Sequence, residues 1–364
     1  MRFNKNRILP ILSFGLVITS CAGPDEADNA DIKSDLKESL RYDDMLSKEM
    51  TAFAALPASA DNPDNKSSPA KIKLGHALYF DTRLSLTDNN SCNSCHNLDS
   101  YGVDNLPTSP GDAGETGDRN SPTTLNAALH VSQFWDGRMK DVEEQAGGPV
   151  LNPVEMNMPS ETEVEKRLNS VEIYKEMFSA AYPEDANPVT YTNMRNAIGV
   201  FERQLLTPSR VDAYIKGDKQ ALTLQEKKGM LSFSYIGCTT CHNGSLLGGN
   251  QMQRFGIHKP YWEATGSANR DGGLYEQTKD SFDLYMFKVP SLRNISETYP
   301  YFHDGSVSDL GEAVKIMADV QLDYKMNKSE VQNVVAFLQA LKGEVPSQYS
   351  RNPLASSITS EPEE

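Results

Sequence analysis

Two short runs of the sequence join a pair of cysteines to a histidine: Cys92-Asn93-Ser94-Cys95-His96 and Cys238-Thr239-Thr240-Cys241-His242. In a C-x-x-C-H run, both thiols can form thioethers with the vinyl groups of a haem, and the histidine becomes the proximal ligand of the iron. Two C-x-x-C pairs could instead form a zinc site together or act as redox pairs. The histidine after each second cysteine favours haem. The sequence therefore predicts two covalently bound haem c groups, with His96 and His242 as iron ligands.

Length and charge limit the class of protein. The chain has 364 residues, which is enough for two domains with a sizeable core. Its net charge of −15 argues against binding of nucleic acid or anionic lipid and favours a partner with a basic docking face. A solvated acidic surface would explain the charge equally well.

The N-terminus resembles a bacterial export signal. Basic residues and the apolar run 8–20 precede Cys21, and Ile18-Thr19-Ser20-Cys21 resembles a lipobox, in which the cysteine is lipidated. The apolar run is too short to span a bilayer comfortably. Covalent haem attachment in bacteria takes place outside the cytoplasm, which agrees with export. We therefore predict a signal peptide over 1–20 and a periplasmic protein anchored by lipid at Cys21, with Ala22 favouring the outer membrane.

The remaining chain divides into four segments. A tether with one docking helix, Asp35–Phe53, is predicted over 21–69, an N-terminal haem domain over 70–206, a C-terminal haem domain over 207–345, and a disordered tail over 346–364. Helical periodicity appears over 161–181 and 194–206, and no alternating strands appear. A helical stretch before the first haem run contains His76, which we expect to be exposed or capping.

An internal repeat links the two halves. Pro290-Ser291-Leu292-Arg293-Asn294 echoes Pro122-Thr123-Thr124-Leu125-Asn126, and the spacing from this asparagine to the next Asp-Gly is the same in both. The fold class predicted is mainly α, with two c-type cytochrome-like haem domains related by internal duplication and joined by long loops such as 97–117.

Several motifs together resemble one family. Besides the haem runs, they are the segments 102–109, 133–138 (Gln-Phe-Trp-Asp-Gly-Arg), 144–146, 152–156 (Asn-Pro-Val-Glu-Met) and 299–305 (Tyr-Pro-Tyr-Phe-His-Asp-Gly). Over about 74–341 the chain is similar to the bacterial di-haem cytochrome c peroxidases, relatives of the MauG-type enzymes. The resemblance implies a low-potential N-terminal haem that reacts with peroxide and a high-potential C-terminal haem where electrons enter.

The resemblance also implies roles for individual side chains. Glu155 would move a proton between the peroxide oxygens, Gln145 would donate a hydrogen bond to the peroxide, and Trp135 would lie on the electron path between the haems. Met317 would be the sixth ligand of the second haem, since a thioether raises the reduction potential. His258 is the competing candidate for that ligand.

A calcium ion is implied as well, bound by Asn120 and by the backbone carbonyls of Thr298 and Pro300. One departure stands out in the loop after the first haem run. Many relatives have there a histidine that caps the peroxidatic iron until the other haem is reduced, and this chain has Asp112. We therefore expect an open first haem that is competent when fully oxidised, with His130 packed in the protein.

The function implied is reduction of hydrogen peroxide to water with electrons from a small periplasmic cytochrome c or cupredoxin. A MauG-like oxidase that modifies another protein is a second option, against which the methionine ligand counts. A di-haem electron carrier without peroxide chemistry is a third. The identity of the donor and the oligomeric state, for which a homodimer is one option, stay open.

Overall fold

The structure is a computed structural model and describes residues 26–354. The predicted signal peptide, Cys21 and the last ten residues lie outside this range. The protein is mainly helical, as predicted. Its α-helices are α1 Glu26–Ser47, α2 Pro69–Tyr79, α3 Cys92–Cys95, α4 Val142–Leu151, α5 Glu161–Asn169, α6 Glu172–Ala181, α7 Tyr191–Glu202, α8 Arg210–Ile215, α9 Leu224–Ile236, α10 Tyr261–Thr265, α11 Tyr275–Thr278, α12 Leu310–Leu322 and α13 Lys328–Ala340.

Two three-residue strands complete the regular structure. β1 (Met252–Arg254) pairs with β2 (Met286–Lys288) in an antiparallel ribbon in which Met252 lies opposite Lys288. The sequence showed no alternating pattern here, because three residues are too few to produce one. From Glu26 to Leu354, no helix combines the length and apolarity needed to cross a bilayer.

The first half is built on the crossing of α2 and α7. Ser68 caps α2 and Thr190 caps α7, each through a side-chain oxygen that accepts a backbone N–H of the first turn. Gly75 lets the helices touch, since a Cβ there would lie 1.9 Å from the backbone oxygen of Ala197. Helices α4, α5 and α6 pack around this pair and bury a continuous apolar core that includes Leu74, Phe178 and Phe201.

The second half repeats this contact between α9 and α13. A Cβ at Gly229 would lie 1.8 Å from the backbone oxygen of Asn333 and 2.9 Å from the Cβ of Phe337. In the first half, the Cβ of Phe201 holds the equivalent place, since a Cβ at Gly75 would lie 2.8 Å from it. Leu231, Phe233 and other apolar side chains of α9 complete a second core with α13.

A buried hydrogen-bond node joins the two halves. The amide nitrogens of Asn126 and Asn294 each donate to the hydroxyl of Thr207 at 2.8 Å. The Asn126 side-chain oxygen accepts the Thr207 N–H, and that of Asn294 accepts the Gly343 N–H, both at 2.9 Å. Both asparagines adopt a positive φ, near 60°. Residues of the two predicted repeats thus meet at one threonine.

The N-terminal helix α1 docks on α9, so the predicted docking helix exists, although it begins nearer the N-terminus and ends six residues before Phe53. Leu46 is buried in the second core. The Lys227 ammonium, itself buried, lies 2.9 Å from the Asp43 carboxylate and 2.8 Å from the hydroxyl of Ser39. A paired charge and apolar contacts therefore fix this segment to the second half.

The helical periodicity predicted over 161–181 belongs to two helices, because α5 ends at Asn169 and α6 begins at Glu172. Two other predictions about local structure need correction. His76 is buried, not exposed: its ring stacks on Phe201 at 4.8 Å, and Nε2 lies 3.1 Å from the backbone oxygen of Tyr349. Ordered contacts also extend into the predicted tail, since Tyr349 packs on Phe201 and Leu354 is buried in the first core.

Candidate functional site

Two cavities contain the residues singled out from the sequence. The first cavity is lined by the haem run at Cys92 together with Gln145, Glu155 and Glu202, and it encloses about 640 Å³. The second cavity is lined by the haem run at Cys238 together with Met317 and mostly apolar side chains, and it encloses about 230 Å³. The roomier cavity is thus the one with the polar side chains suited to a small polar substrate.

The cavities share a wall. Seven residues line both of them: Asn120, Pro122, Thr123, His130, Phe134, Trp135 and Lys288. The indole N–H of Trp135 donates to the backbone oxygen of Asn120 at 2.9 Å, and the backbone oxygen of Trp135 accepts the Lys288 N–H at 2.8 Å. Trp135 is therefore held on both sides, in the wall where the predicted electron path needs it.

Asp136 fixes the turn that carries Trp135. This aspartate has no exposed surface, and its carboxylate accepts hydrogen bonds from Arg119 at 2.7 Å and from Arg138 at 2.9 Å. The backbone N–H of Gln133 donates to the oxygen of Met139 at 2.7 Å across the turn. Two charged donors and a bridged turn make this part of the wall rigid.

Glu155 and Gln145 reach the first cavity from neighbouring segments. Gln145 lies in α4, whose first turn is capped by the side chain of Asp141. Glu155 lies in the turn that follows α4, where its carboxyl group interacts with the side chain of Asn152. Burial raises the pKa of the Glu155 carboxyl above its usual value, although the nearby Arg138 charge opposes the rise. A carboxyl in this condition can accept and release a proton near neutral pH more readily than an exposed one.

Asp112 turns away from the first cavity. Its carboxylate accepts the backbone N–H and the hydroxyl of Thr87, both at 3.0 Å, and its own N–H donates to the backbone oxygen of Glu155 at 2.7 Å. These hydrogen bonds, with others from the same turn, lower the pKa of the Asp112 carboxyl despite its burial. Asp112 is not among the residues that line the cavity, whereas its neighbours Pro110 and Gly111 are.

A buried basic pair lies in the shared wall. The Lys288 ammonium is 2.8 Å from Nδ1 of His130; Lys288 is buried and His130 is partly buried. Burial lowers the pKa of Lys288 to about 7, with the Asp136 charge acting in the opposite direction. Burial, aided by the neighbouring Lys288 charge, lowers the pKa of His130 well below its usual value. His130 is thus packed, as predicted.

Burial makes the four described cysteines poor thiolates. It raises the pKa of Cys95 to about 11 and of Cys238 to about 12, and it raises those of the other two thiols as well. Metal binding and redox exchange need the thiolate. Between residues 26 and 354, no group of three or more His, Cys, Asp or Glu side chains is arranged to hold a metal ion. The two cysteine pairs line different cavities, so they do not form one zinc site together.

The remaining predicted ligands line the second cavity. Met317 in α12 and the three residues proposed for calcium, Asn120, Thr298 and Pro300, all belong to its lining. The Asn120 amide nitrogen donates to the backbone oxygen of Leu106 at 2.9 Å, which leaves its side-chain oxygen for another partner. The competing ligand His258 is exposed and does not line the cavity.

Comparisons with known proteins decide the family. Residues 69–220 match the family model described as di-haem cytochrome c peroxidase. The chain is 44% identical to cytochrome c551 peroxidase of Pseudomonas aeruginosa, over 82% of this chain and 86% of that protein. The chain belongs to the di-haem cytochrome c peroxidase family. It is therefore an oxidoreductase of the haem peroxidase type.

Two further similarities agree with the assignment of this peroxidase to the family. Cytochrome c551 peroxidase of Nitrosomonas europaea is 43% identical over 80% of this chain and 84% of that protein. The crystal structure of a MauG-like protein associated with microbial copper homeostasis superimposes with a TM-score of 0.73 at 27% identity, over 82% of this chain and 97% of that chain.

The residues of both cavities fit the two haems of the family. Each cavity is lined by two free thiols and by the histidine that follows them. Nδ1 of His242 lies 2.9 Å from the backbone oxygen of Leu247, so the ring can donate there and keep Nε2 as a lone-pair donor for iron. Both ring nitrogens of His303, which is buried at the second cavity, have no partner among the described residues. The donor set is that of a covalently bound haem in each cavity.

Three residues of this site were missed from the sequence. His303 lies in a repeated segment and Lys288 lies two residues before one, but nothing in their spacing indicates burial beside a cavity. Glu202 is 3% exposed although the residues that follow it, Arg203 and Gln204, are polar. The only available signal was its place at the end of a helix whose other face is apolar.

Proposed function

We propose that this peroxidase reduces hydrogen peroxide to water in the first cavity, with electrons that enter at the second cavity. The observation that carries the proposal is the wall shared by the two cavities, in which Trp135 stands between the two haem runs. The polar residues suited to peroxide are on one side of this wall, and the thioether of Met317 is on the other.

When bound, haem supplies the iron that binds peroxide in the first cavity and delivers the two electrons for its reduction. The chain's own residues handle protons and orientation. The Glu155 carboxylate accepts the proton from one peroxide oxygen and returns it to the other, and the raised pKa of this carboxyl makes it a stronger base for the first transfer. The Gln145 amide donates a hydrogen bond that fixes the peroxide beside Glu155.

The first cavity is proposed to be open in the fully oxidised enzyme. Asp112 has both carboxylate oxygens engaged by Thr87 and does not line the cavity, which supports this proposal. A carboxylate is also a weaker partner for such an iron than the histidine that many relatives carry in this loop.

Peroxide turnover by the fully oxidised protein tests these proposals. Reduced cytochrome c is added only after the peroxide, and the rate is compared with that of protein pre-reduced by one electron. We expect equal rates. Activity only after pre-reduction would contradict the open first cavity, and no turnover in either case would contradict the peroxidase function. A spectrum with only low-spin haem would then favour the electron carrier.

The electron donor is proposed to be a small cytochrome c or cupredoxin, and a basic docking face on that partner would suit the net charge of −15. The MauG-like alternative is less well supported, because Met317 lines the second cavity where such relatives have a tyrosine ligand. Comparing turnover with a basic and an acidic cytochrome c at low and high ionic strength tests the donor's charge.

The two halves are proposed to derive from one duplicated haem domain, with boundaries near 70–206 and 207–345. Three matched features support this: the glycine contacts at Gly75 and Gly229, the two asparagines that share Thr207, and the positive φ of Phe134 and Phe302 in equivalent turns. Separate expression of each half, followed by haem staining, tests whether each is a domain.

Calcium and membrane attachment are further proposals. Asn120, Thr298 and Pro300 line one cavity and are proposed to bind calcium through oxygen atoms, which isothermal titration of chelated protein with calcium tests. Cys21 is proposed to carry the lipid that holds the mature protein to the outer membrane on its periplasmic side. Fractionation of cells that express the wild type and Cys21→Ala tests this anchor.

A further inference from the structure

Glu202 is a buried carboxyl group that the proposed chemistry does not use. It is the last residue of α7, it is 3% exposed, and it lines the first cavity. No hydrogen bond or ion pair to its carboxylate is found among residues 26–354, whereas buried carboxylates are ordinarily paired. The side chain thus places an uncompensated acidic group against the space predicted for the first haem.

The adjacent arginine does not neutralise it. The Arg203 guanidinium makes a two-pronged contact with Glu143, at 2.9 Å from Nε and 2.7 Å from Nη2. Asn62 and Asn65 donate to the same Glu143 carboxylate. Arg203 is therefore committed to another carboxylate, and Glu143 itself adds a negative charge near Glu202.

The second half has leucine in the equivalent place. Phe201 precedes Glu202 and contacts Gly75, and Phe337 precedes Leu338 and contacts Gly229. Leu338 is also 3% exposed, and it lines the second cavity. The two cavities therefore differ at one matched position by a carboxyl group against an isobutyl group.

We propose that Glu202 lowers the reduction potential of the first haem relative to the second. This inference rests on the proposed haem in the first cavity. A carboxylate stabilises the oxidised iron, which carries one more positive charge than the reduced iron, and the interaction is strong where water is excluded. Glu202 would lower the potential of the first haem, and the Met317 thioether is expected to raise that of the second. Both residues would therefore widen the difference in potential between the two haems.

The protonation of Glu202 should respond to reduction of this haem. The groups that face it are Tyr79 of α2, Cys92 of α3, Glu143 of α4 and Arg203. Burial, aided by the Glu143 charge and opposed by Arg203, raises the pKa of Glu202 to about 8. Reduction removes a positive charge from the site and favours the protonated form further. The potential of the first haem should therefore fall as pH rises through this range.

The test is a spectroelectrochemical titration of the holoenzyme, which reads the midpoint potential of each haem. Glu202→Gln removes the charge and keeps the shape, and Glu202→Leu copies the second half. At a pH above the titration of Glu202, we expect the first-haem potential to rise in both variants and the second-haem potential to stay, and we expect the pH dependence of the first to be lost. The exposed Glu161→Gln at the start of α5 is the control and should leave both potentials unchanged.

The reciprocal variant, Leu338→Glu, should lower the potential of the second haem, and it decides the question if the Glu202 variants do not fold. Unchanged first-haem potentials in loaded Glu202→Gln and Glu202→Leu would overturn the inference. Wild-type protein that binds two haems and turns over peroxide would in that case still support the proposed function. If the wild-type protein did not turn over peroxide, the proposed function would be overturned. The conclusion about Glu202 would still be decided by the measured potentials.

Discussion

Glu155 and Glu202 are carboxyl groups of one cavity in different surroundings. Burial raises the pKa of Glu155, while the Arg138 charge and the Asn152 amide oppose the rise. Glu202 has no hydrogen-bond partner among the described residues, and burial, aided by the Glu143 charge and opposed by the Arg203 charge, raises its pKa to about 8. The difference suits two roles, one in proton movement and one in setting a potential.

The fall in kcat/KM at low pH should follow the titration of Glu155. Peroxide binding requires this residue as a base, and burial raises its pKa, so kcat/KM should fall as pH drops through a value above that of an ordinary glutamate. Glu155→Gln should lower kcat/KM by about 10²–10⁴-fold and flatten this acid limb of the pH profile. Stopped-flow turnover at several pH values measures both effects.

Glu172→Gln is the matched control for Glu155→Gln, because Glu172 is exposed in α6 and pairs only with Lys175. Its haem absorption and its pH profile should equal those of the wild type. If Glu155→Gln kept both the haem spectrum and the acid limb, Glu155 would not be the proton acceptor.

Much of the site could be predicted from residue types alone. The cysteines, their histidines, Gln145, Glu155 and Met317 belong to motifs, and the structure brings each of them to the lining of one of the two cavities. Glu202 and the burial of His76 could not be predicted, because both depend on contacts from distant segments. His76 is covered by Tyr349, 273 positions away.

At the scale of elements, the two glycine contacts set how closely the helices cross. Gly75→Ala and Gly229→Ala each place a Cβ within 2 Å of a backbone oxygen on the facing helix. No side-chain rotation relieves this overlap, so the helices must move apart. The better helix propensity of alanine returns only about 1 kcal/mol.

We expect each glycine variant to lose about 1–3 kcal/mol of apparent unfolding free energy, as overpacked cores do. Urea titration followed by far-UV circular dichroism measures it. Gly117→Ala is the control, since a Cβ there meets nothing within 4 Å and the residue does not have a positive φ. Equal midpoints for Gly75→Ala and Gly117→Ala would show that the α2–α7 crossing tolerates separation.

The docking of α1 depends on a buried ion pair. Asp43→Ala leaves the Lys227 ammonium, 2% exposed, without its carboxylate, and breaking such a pair costs about 3–5 kcal/mol. We expect α1 to detach more often and the segment around 48–66 to be cleaved faster in limited proteolysis. Asp44→Ala, one position along and exposed, should be cleaved at the wild-type rate. Equal cleavage of both variants would mean that apolar contacts alone hold α1.

Element positions were predicted better than element ends. The helix predicted over Asp35–Phe53 exists, but its ends differ, since they depend on local capping and on contacts with α9 that the sequence does not display. The stretch 161–181 is interrupted where Ser170 and Val171 close α5 by backbone hydrogen bonds before α6 begins. A two-residue interruption leaves the apolar periodicity almost intact, so the periodicity predicted over 161–181 does not mark the break.

At the scale of the whole molecule, the two cavities can work together only if the halves stay in register. The shared wall contains residues of both halves of the chain, with Trp135 from the first half and Lys288 from the second. Thr207 lies where the chain passes from one half to the other, and it joins the asparagines of both repeats. Loss of these hydrogen bonds should therefore destabilise both halves.

Thr207→Val tests the node, because valine keeps the shape and removes the hydroxyl that accepts both amide hydrogen bonds. Two buried N–H donors are then left unpaired, and each costs about 1–3 kcal/mol. We expect the apparent unfolding free energy in urea to fall by at least about 2 kcal/mol, while Thr207→Ser, which keeps the acceptor, stays near the wild type. A loss in Thr207→Ser as large as in Thr207→Val would assign the effect to the methyl group. Both cores should unfold together in the valine variant, since the lost hydrogen bonds belong to both halves.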